Sequence, residues 1–146
     1  MAEPADAPVV AELLDAFNRE FDTPTPGAEV LTTRLRQLLP RENVLALLAG
    51  DPAVGVALLT FRPSVWDPGP VALLEELYVR PELRRRKIGH TILDHAMAIA
   101  RKRGSETFEI NVDEGDVDAR RFYENHGFAN TEPGQNERLL YYHRRL

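Results

Sequence analysis

Cysteine is absent from the 146 residues. Its absence removes disulfides, zinc–thiolate sites and a cysteine nucleophile together, and it points to a reducing compartment, so a cytoplasmic location is expected. Long hydrophobic runs are missing as well: no apolar stretch approaches the roughly 20 residues of a membrane-spanning helix, and no membrane partner is expected. Met1-Ala2-Glu3-Pro4-Ala5-Asp6 has neither the basic start nor the apolar stretch of a secretory signal. A cationic excess is lacking too. The 18 Lys and Arg stand against 23 Asp and Glu, a net charge of −5, which argues against a general nucleic-acid binder. No internal repeat or low-complexity segment is evident. What remains, 43% hydrophobic and 28% charged residues, suits a single globular domain over residues 1–146.

Against this acidic background one basic stretch stands out. Arg84-Arg85-Arg86-Lys87-Ile88-Gly89-His90 follows the apolar run Ala72-Leu73-Leu74-Glu75-Glu76-Leu77-Tyr78-Val79. A helical pattern then begins, with Ile88, Ile92, Leu93, Ala96, Ile99 and Ala100 on one face. A helix N-terminus offers unpaired N–H groups and partial positive charge, so a loop of this kind suits an anion, phosphate above all. Adjacent cations repel one another unless an anion joins them. A solvated basic turn is the competing reading.

The rest of the chain supplies the fold class. Asp6 is placed to cap a first helix carrying Val10, Leu13, Leu14, Phe17 and Phe21 inward. Thr23-Pro24-Thr25-Pro26-Gly27 breaks it, and a second helix follows with Leu31, Leu35, Leu38 and Leu39 on one face. Residues 44–49 and 54–61 read as strands joined through Gly50-Asp51-Pro52, a hairpin. Residues 71–79 form a third strand, and a helix from Ile88 to about Arg103 is stopped by Gly104. Further strands are expected over 107–112, from Gly127-Phe128, and over 137–144, with a helix over 117–126. This order predicts an α/β (α+β) domain, a mixed sheet with helices on both faces.

With the order in hand, two blocks resemble the Gcn5-related N-acetyltransferases. Leu74-Glu75-Glu76-Leu77-Tyr78-Val79-Arg80-Pro81-Glu82-Leu83-Arg84 is similar to that family's strand leading into its Arg/Gln-x-x-Gly-x-Gly/Ala pyrophosphate loop. Arg84 matches the first position and Gly89 the last, while Lys87 replaces the middle glycine. Asp116-Val117-Asp118-Ala119-Arg120-Arg121-Phe122-Tyr123-Glu124-Asn125-His126-Gly127-Phe128 is similar to the family's Asn-x-x-Ala-x-x-Phe/Leu-Tyr-x-x-x-Gly-Phe segment, with Asp116 where Asn is usual. The resemblance covers most of the chain, although only Met1 to Ala5 are available for the family's opening strand. Phe17-Asn18-Arg19-Glu20-Phe21 and Asp113-Glu114-Gly115-Asp116-Val117-Asp118-Ala119 also resemble aminoglycoside 3-N-acetyltransferases of the gentamicin-modifying type.

The resemblance implies a mostly antiparallel sheet with a splayed central strand, and acetyl transfer from acetyl-CoA to the amine of a small molecule, an aminoglycoside or polyamine among the candidates. Protein amino groups are the alternative acceptors, and a silent acyl-CoA-binding module is the alternative class. An amine must lose a proton before attack, and a carboxylate can take it. Glu75 and Glu76 supply carboxylates. In a regular strand they point to opposite faces, so one should face the acceptor. The resemblance favours Glu75 as base, at the position used by some small-amine acetyltransferases of the family, with Glu76, where the aminoglycoside-type sequences carry Asp, as the alternative. Tyr123 matches the family's proton donor to the departing thiolate. Backbone groups of Leu77, Tyr78 and Val79, together with Arg84, Arg85, Arg86, Lys87, Ile88, Gly89 and His90, are the expected cofactor contacts. Asp116 either joins them or caps the next helix. Glu20, Asp22, Asp67, Asp113 and Glu114 lie in segments expected to border the acceptor. His90 and His126 have no partner at ligand spacing, so no metal site is assigned. The last strand and exposed sheet edges offer a surface for a homodimer.

Overall fold

A computed structural model of the chain describes all 146 residues. They form two compact units, Met1–Ile110 and Asn111–Leu146.

The first unit is a four-stranded sheet with helices on both faces. Its elements are α1 (Ala7–Glu20), α2 (Ala28–Leu38), β1 (Val44–Ala49), β2 (Gly55–Arg62), β3 (Val71–Val79), α3 (Ile88–Lys102) and β4 (Phe108–Ile110). The sheet order is β1-β2-β3-β4. β1 and β2 pair antiparallel, as do β2 and β3, while β3 and β4 run parallel. That is the expected mixed, mostly antiparallel sheet.

The two faces follow from strand alternation. Val10, Ala11, Leu13 and Leu14 of α1 and Leu35 of α2 pack with Ala46, Val56 and Tyr78, and Leu48 and Leu58 border that cluster. The apolar stripe of α3, Ile92, Leu93, Ala96 and Ala100, is buried and packs on β1, β2 and β3. Gly55 permits this approach: a Cβ there would lie 2.9 Å from Ile92 Cδ1 and 3.2 Å from the Tyr78 carbonyl oxygen. Leu13, Leu59, Leu74 and Leu93 are fully buried. Truncating any one to Ala would cost about 2–5 kcal/mol.

Two features of β3 shape the site. Its pairing with β4 runs only from Ala72↔Phe108 to Leu74↔Ile110, so Glu75 to Val79 have no β4 partner on that edge. This is the splay expected of the central strand. On its other edge, Leu58 lies opposite Glu76 and Leu59 opposite Leu74. Glu75 is therefore an extra residue, a β-bulge.

In place of the opening strand usual in the resembled family, the chain has a 3-10 turn over Pro4–Asp6, with one ladder-like bond, Ala2 N–H to the Ala46 carbonyl at 2.8 Å. Asp6 accepts the Glu3 N–H at 2.8 Å and makes no side-chain cap to α1.

The second unit holds α4 (Val117–Glu124), two residues shorter than expected. Neither expected C-terminal strand forms. An isolated bridge, Thr131↔Arg138, and the bond from Leu139 N–H to Asn130 O at 2.7 Å are the whole of that pairing. Leu139, Leu140, Tyr141 and Tyr142 are 58–84% exposed. A strand-like composition without a partner ladder leaves the backbone donors and acceptors to water.

Candidate active site

The bulge decides where the two glutamates point. Val56, Leu58 and Thr60 alternate onto the sheet face covered by α1. Glu76 lies opposite Leu58 on that face. The Glu75 carboxylate accepts the Thr60 hydroxyl at 2.6 Å, so it lies on that face too. The expectation of opposite faces is thus corrected: an extra residue puts two consecutive side chains on one side.

Their environments differ. Glu75 is exposed, whereas Glu76 is half-buried. Burial first, and the neighbouring Glu75 charge second, push the Glu76 carboxyl from its ordinary value up to about 6. A carboxylate of that basicity is still ionised at neutral pH and accepts a proton more readily than an exposed one. Thr60 is a site residue that reading along the chain misses, because only the register across β2 and β3 brings it to Glu75.

Tyr78, two residues on, is buried and belongs to the same α1-facing cluster. The Phe17 ring stacks on it at 5.4 Å, and Phe21 meets Phe17 edge-on at 5.3 Å. Burial and then the Glu20 charge hold the Tyr78 phenol above its ordinary value. Leu77 is half-buried and Val79 buried, and both lie on the β3 edge that β4 leaves unpaired.

The cationic loop has an unusual backbone. Arg85 and Lys87 both have left-handed backbones, φ 63° and 62°. Lys87, at the place of the motif's middle glycine, keeps a glycine-like conformation, and a negative φ is excluded there. Such strain in non-glycine residues persists only where the surrounding structure holds it. Lys87 is the N-cap of α3 with no side-chain cap hydrogen bond. The helix's first N–H groups, at Ile88 and Gly89, lie ahead of its bond from Thr91 N–H to Lys87 O at 2.9 Å. Arg85, Arg86 and Lys87 are exposed. Arg84 differs. Its Nη1 and Nη2 donate to the two Glu20 carboxylate oxygens at 2.6 and 2.7 Å, and its Nε donates to Val79 O at 3.0 Å. Its own N–H donates to Pro81 O. His90, expected to have no partner at ligand spacing, does have one: it pairs with Asp94 one turn on, at 3.1 Å.

In the second unit, Tyr123 is 8% exposed, with edge-on contacts to Phe122 and Phe128. Asp116 caps α4 through the Ala119 N–H at 2.9 Å. The expected ring of acceptor-attracting acids is largely occupied. Glu20 is held by Arg84, and Asp67 takes Ser64 Oγ at 2.7 Å and Thr107 Oγ1 at 3.2 Å. Glu114 is ion-paired to Arg138. A shallow depression of about 420 Å³ is lined by Glu42, Asn43, Phe61, Pro63, Pro70 and Arg103; no expected site residue borders it.

Acetyl-CoA fits this frame on two observations: the uncapped α3 N-terminus among exposed cations suits its pyrophosphate, and the unpaired β3 edge suits an amide-bearing arm.

Comparison with known proteins gives the family and the fold. The Acetyltransferase (GNAT) family pattern matches residues 10–128. An inferred acetyltransferase from Arthrobacter sp. FB24 is 54% identical, with a TM-score of 0.93 over 99% of this chain and 93% of that one. An aminoglycoside acetyltransferase from an uncultured soil metagenomic sample, in complex with sisomicin, shares the fold at 21% identity. Its TM-score is 0.79, over 99% of this chain and 93% of that one. A methionyl-tRNA formyltransferase of Methylobacterium nodulans is 35% identical over 83 residues, 52% of this chain but 26% of that protein.

Proposed function

Because the chain belongs to the Acetyltransferase (GNAT) family, we propose that it transfers acetyl from acetyl-CoA to the primary amine of a small cationic molecule, with Glu76 as the general base. The observation that carries the reading is the bulge at Glu75, which gathers two carboxylates on one sheet face and leaves the second desolvated.

When bound, acetyl-CoA supplies an acetyl thioester whose carbon–sulfur bond is exchanged for a carbon–nitrogen bond. The protein's own groups do the rest. Glu75 and Glu76 together attract an ammonium group, and Glu76 takes one of its protons, so the nitrogen presents a lone pair. Backbone groups of Leu77 to Val79 on the unpaired strand edge hold the pantetheine arm as another strand would. The α3 N-terminus, with Ile88, Gly89, His90 and the cations Arg85, Arg86 and Lys87, holds the pyrophosphate. Tyr123 is the proposed proton donor to the CoA sulfur, on its match to the family motif. Aminoglycosides are the first acceptors to try, since a protein of this fold was crystallised with sisomicin. The acidic balance of the chain also favours cations.

The test is a panel of aminoglycosides, polyamines and an N-terminal peptide, read as CoA thiol release from acetyl-CoA. The protein has no cysteine, so a thiol reagent reports CoA alone. Turnover with a cationic small molecule and not with the peptide is expected; peptide turnover alone would move the acceptor to proteins, and none at all would sink the proposal.

A further inference from the structure

Arg84 is the motif cation whose side chain the fold pairs within the protein, although it stays partly exposed. Three of its side-chain N–H groups are used inside the protein, two on Glu20 and one on Val79 O. Its guanidinium carbon also lies 5.7 Å from the centre of the Tyr78 ring. The paired carboxylate cancels the charge that a phosphate would need. Glu20, in turn, uses both oxygens on Arg84 and is the last residue of α1. One turn earlier on α1 is Phe17, the ring stacked on Tyr78. Tyr78 belongs to the same face of β3 as Glu76, two residues away. After Glu20 the chain reverses: Asp22 has φ 50°, Thr23 N–H donates to Asn18 O at 2.8 Å, and Thr25 hydrogen-bonds Asp15 at 2.7 Å.

We infer that the Arg84–Glu20 pair is a positioning device for the acceptor: it fastens the last turn of α1, with its Phe17–Tyr78 stack beside Glu76, to the turn that opens the cationic loop. The inference rests on the reading of Glu76 as base, because that reading makes the Phe17 and Phe21 edge a wall of the amine's approach. A bidentate guanidinium–carboxylate fork fixes angle as well as distance. Its side chains are 40% and 27% exposed, so the pair contributes more to geometry than to stability. Without it, the end of α1 keeps the ring stack, its packing in the α1-facing cluster and the following turn. The amine would then meet a looser wall, while the α3 N-terminus and Arg85, Arg86 and Lys87 keep their hold on phosphate.

The experiment compares Glu20→Gln, Arg84→Gln and the double variant with the full-length wild type. Three quantities are read: acetyl-CoA Kd by calorimetry, KM and kcat for one accepted amine, and hydrogen exchange over residues 17–27. Each single variant should raise the amine KM about three- to tenfold, with a smaller fall in kcat, and the double should be no worse than either single, as for residues acting as one unit. Acetyl-CoA Kd should stay within about twofold, and exchange over 17–27 should quicken in all three, by the loss of a local restraint. Weaker acetyl-CoA binding in Arg84→Gln but not in Glu20→Gln would overturn the inference and make Arg84 a phosphate ligand. A lowered Tm with unchanged KM would overturn it by reducing the pair to a strut. Should wild type accept no amine, the proposed function fails by itself. Exchange and calorimetry still decide the fastening, which unchanged exchange over 17–27 would overturn.

Discussion

At Glu76 burial and an adjacent like charge push the carboxyl up to about 6, and both causes can be tested. Glu76→Gln should abolish most turnover, since a positioned base contributes about 10²–10⁴-fold. Glu75→Gln removes the like charge and leaves the burial. The Glu76 carboxyl should therefore titrate below its present value of about 6, and the acidic limb of the kcat/KM profile should move to lower pH. A limb unmoved by either variant would place the base elsewhere. The same shift has a stability consequence with a definite sign. The folded carboxyl titrates above its unfolded value, so its contribution is fully present below the ordinary value of 4.5 and is lost as pH rises through about 6. Glu76→Gln should thus match wild type in Tm near pH 4.5 and exceed it at pH 8, by about 1–2 kcal/mol of stability. That is the usual conflict between a poised active site and a stable fold. The sequence shows two glutamates in an apolar strand, and so the presence of a candidate base. It does not show their common face, because the bulge arises from where β2 and β3 pair.

At the scale of elements, the run from β3 through the cationic loop to α3 holds most of the expected cofactor contacts. β1 and β3 fall on the residues that alternation and turn signals predict, and α3 begins at the expected Ile88. Those boundaries are local, set by Gly-Asp-Pro, by the basic turn and by Gly104. The side-chain pairing of Arg84 with Glu20 is not local: the partners are 64 positions apart, so the chain order could show a cation at the motif's first place but not its partner. Nor is the fate of the last segment local, since a strand exists only by its neighbours. Lys87 gives this scale its prediction. Its φ of 62° costs a non-glycine residue about 1 kcal/mol or more, and glycine's greater unfolded freedom offsets part of that relief. Lys87→Gly should therefore raise stability by less than about 1 kcal/mol in urea unfolding, and it should weaken acetyl-CoA only modestly. A destabilised variant would mean that the lysine side chain, rather than the backbone, holds the loop.

The whole molecule carries −5, while the proposed cosubstrate is a polyanion, and that opposition gives salt a diagnostic sign. If Arg85, Arg86 and Lys87 were merely solvated, the long-range interaction would be net repulsion, and screening it would leave acetyl-CoA affinity unchanged or improve it. If they face the phosphates, short-range attraction dominates, because charges beyond about 10 Å are largely screened at 0.1 M salt while contacts are screened less. Wild-type acetyl-CoA Kd should then rise steadily between low and moderate salt in calorimetry. The double variant Arg86→Glu/Lys87→Glu should bind about 1–3 kcal/mol more weakly, the worth of charge-assisted contacts. Its salt dependence should also flatten or reverse as repulsion takes over. A cationic amine should show the companion behaviour, with kcat/KM falling as salt rises, because the acidic surface attracts it. An acetyl-CoA affinity indifferent to salt in wild type and unharmed in the double variant would remove phosphate from the reading of this loop. The cofactor would then have to be held by the α3 N-terminus and the open edge of β3 through backbone groups alone.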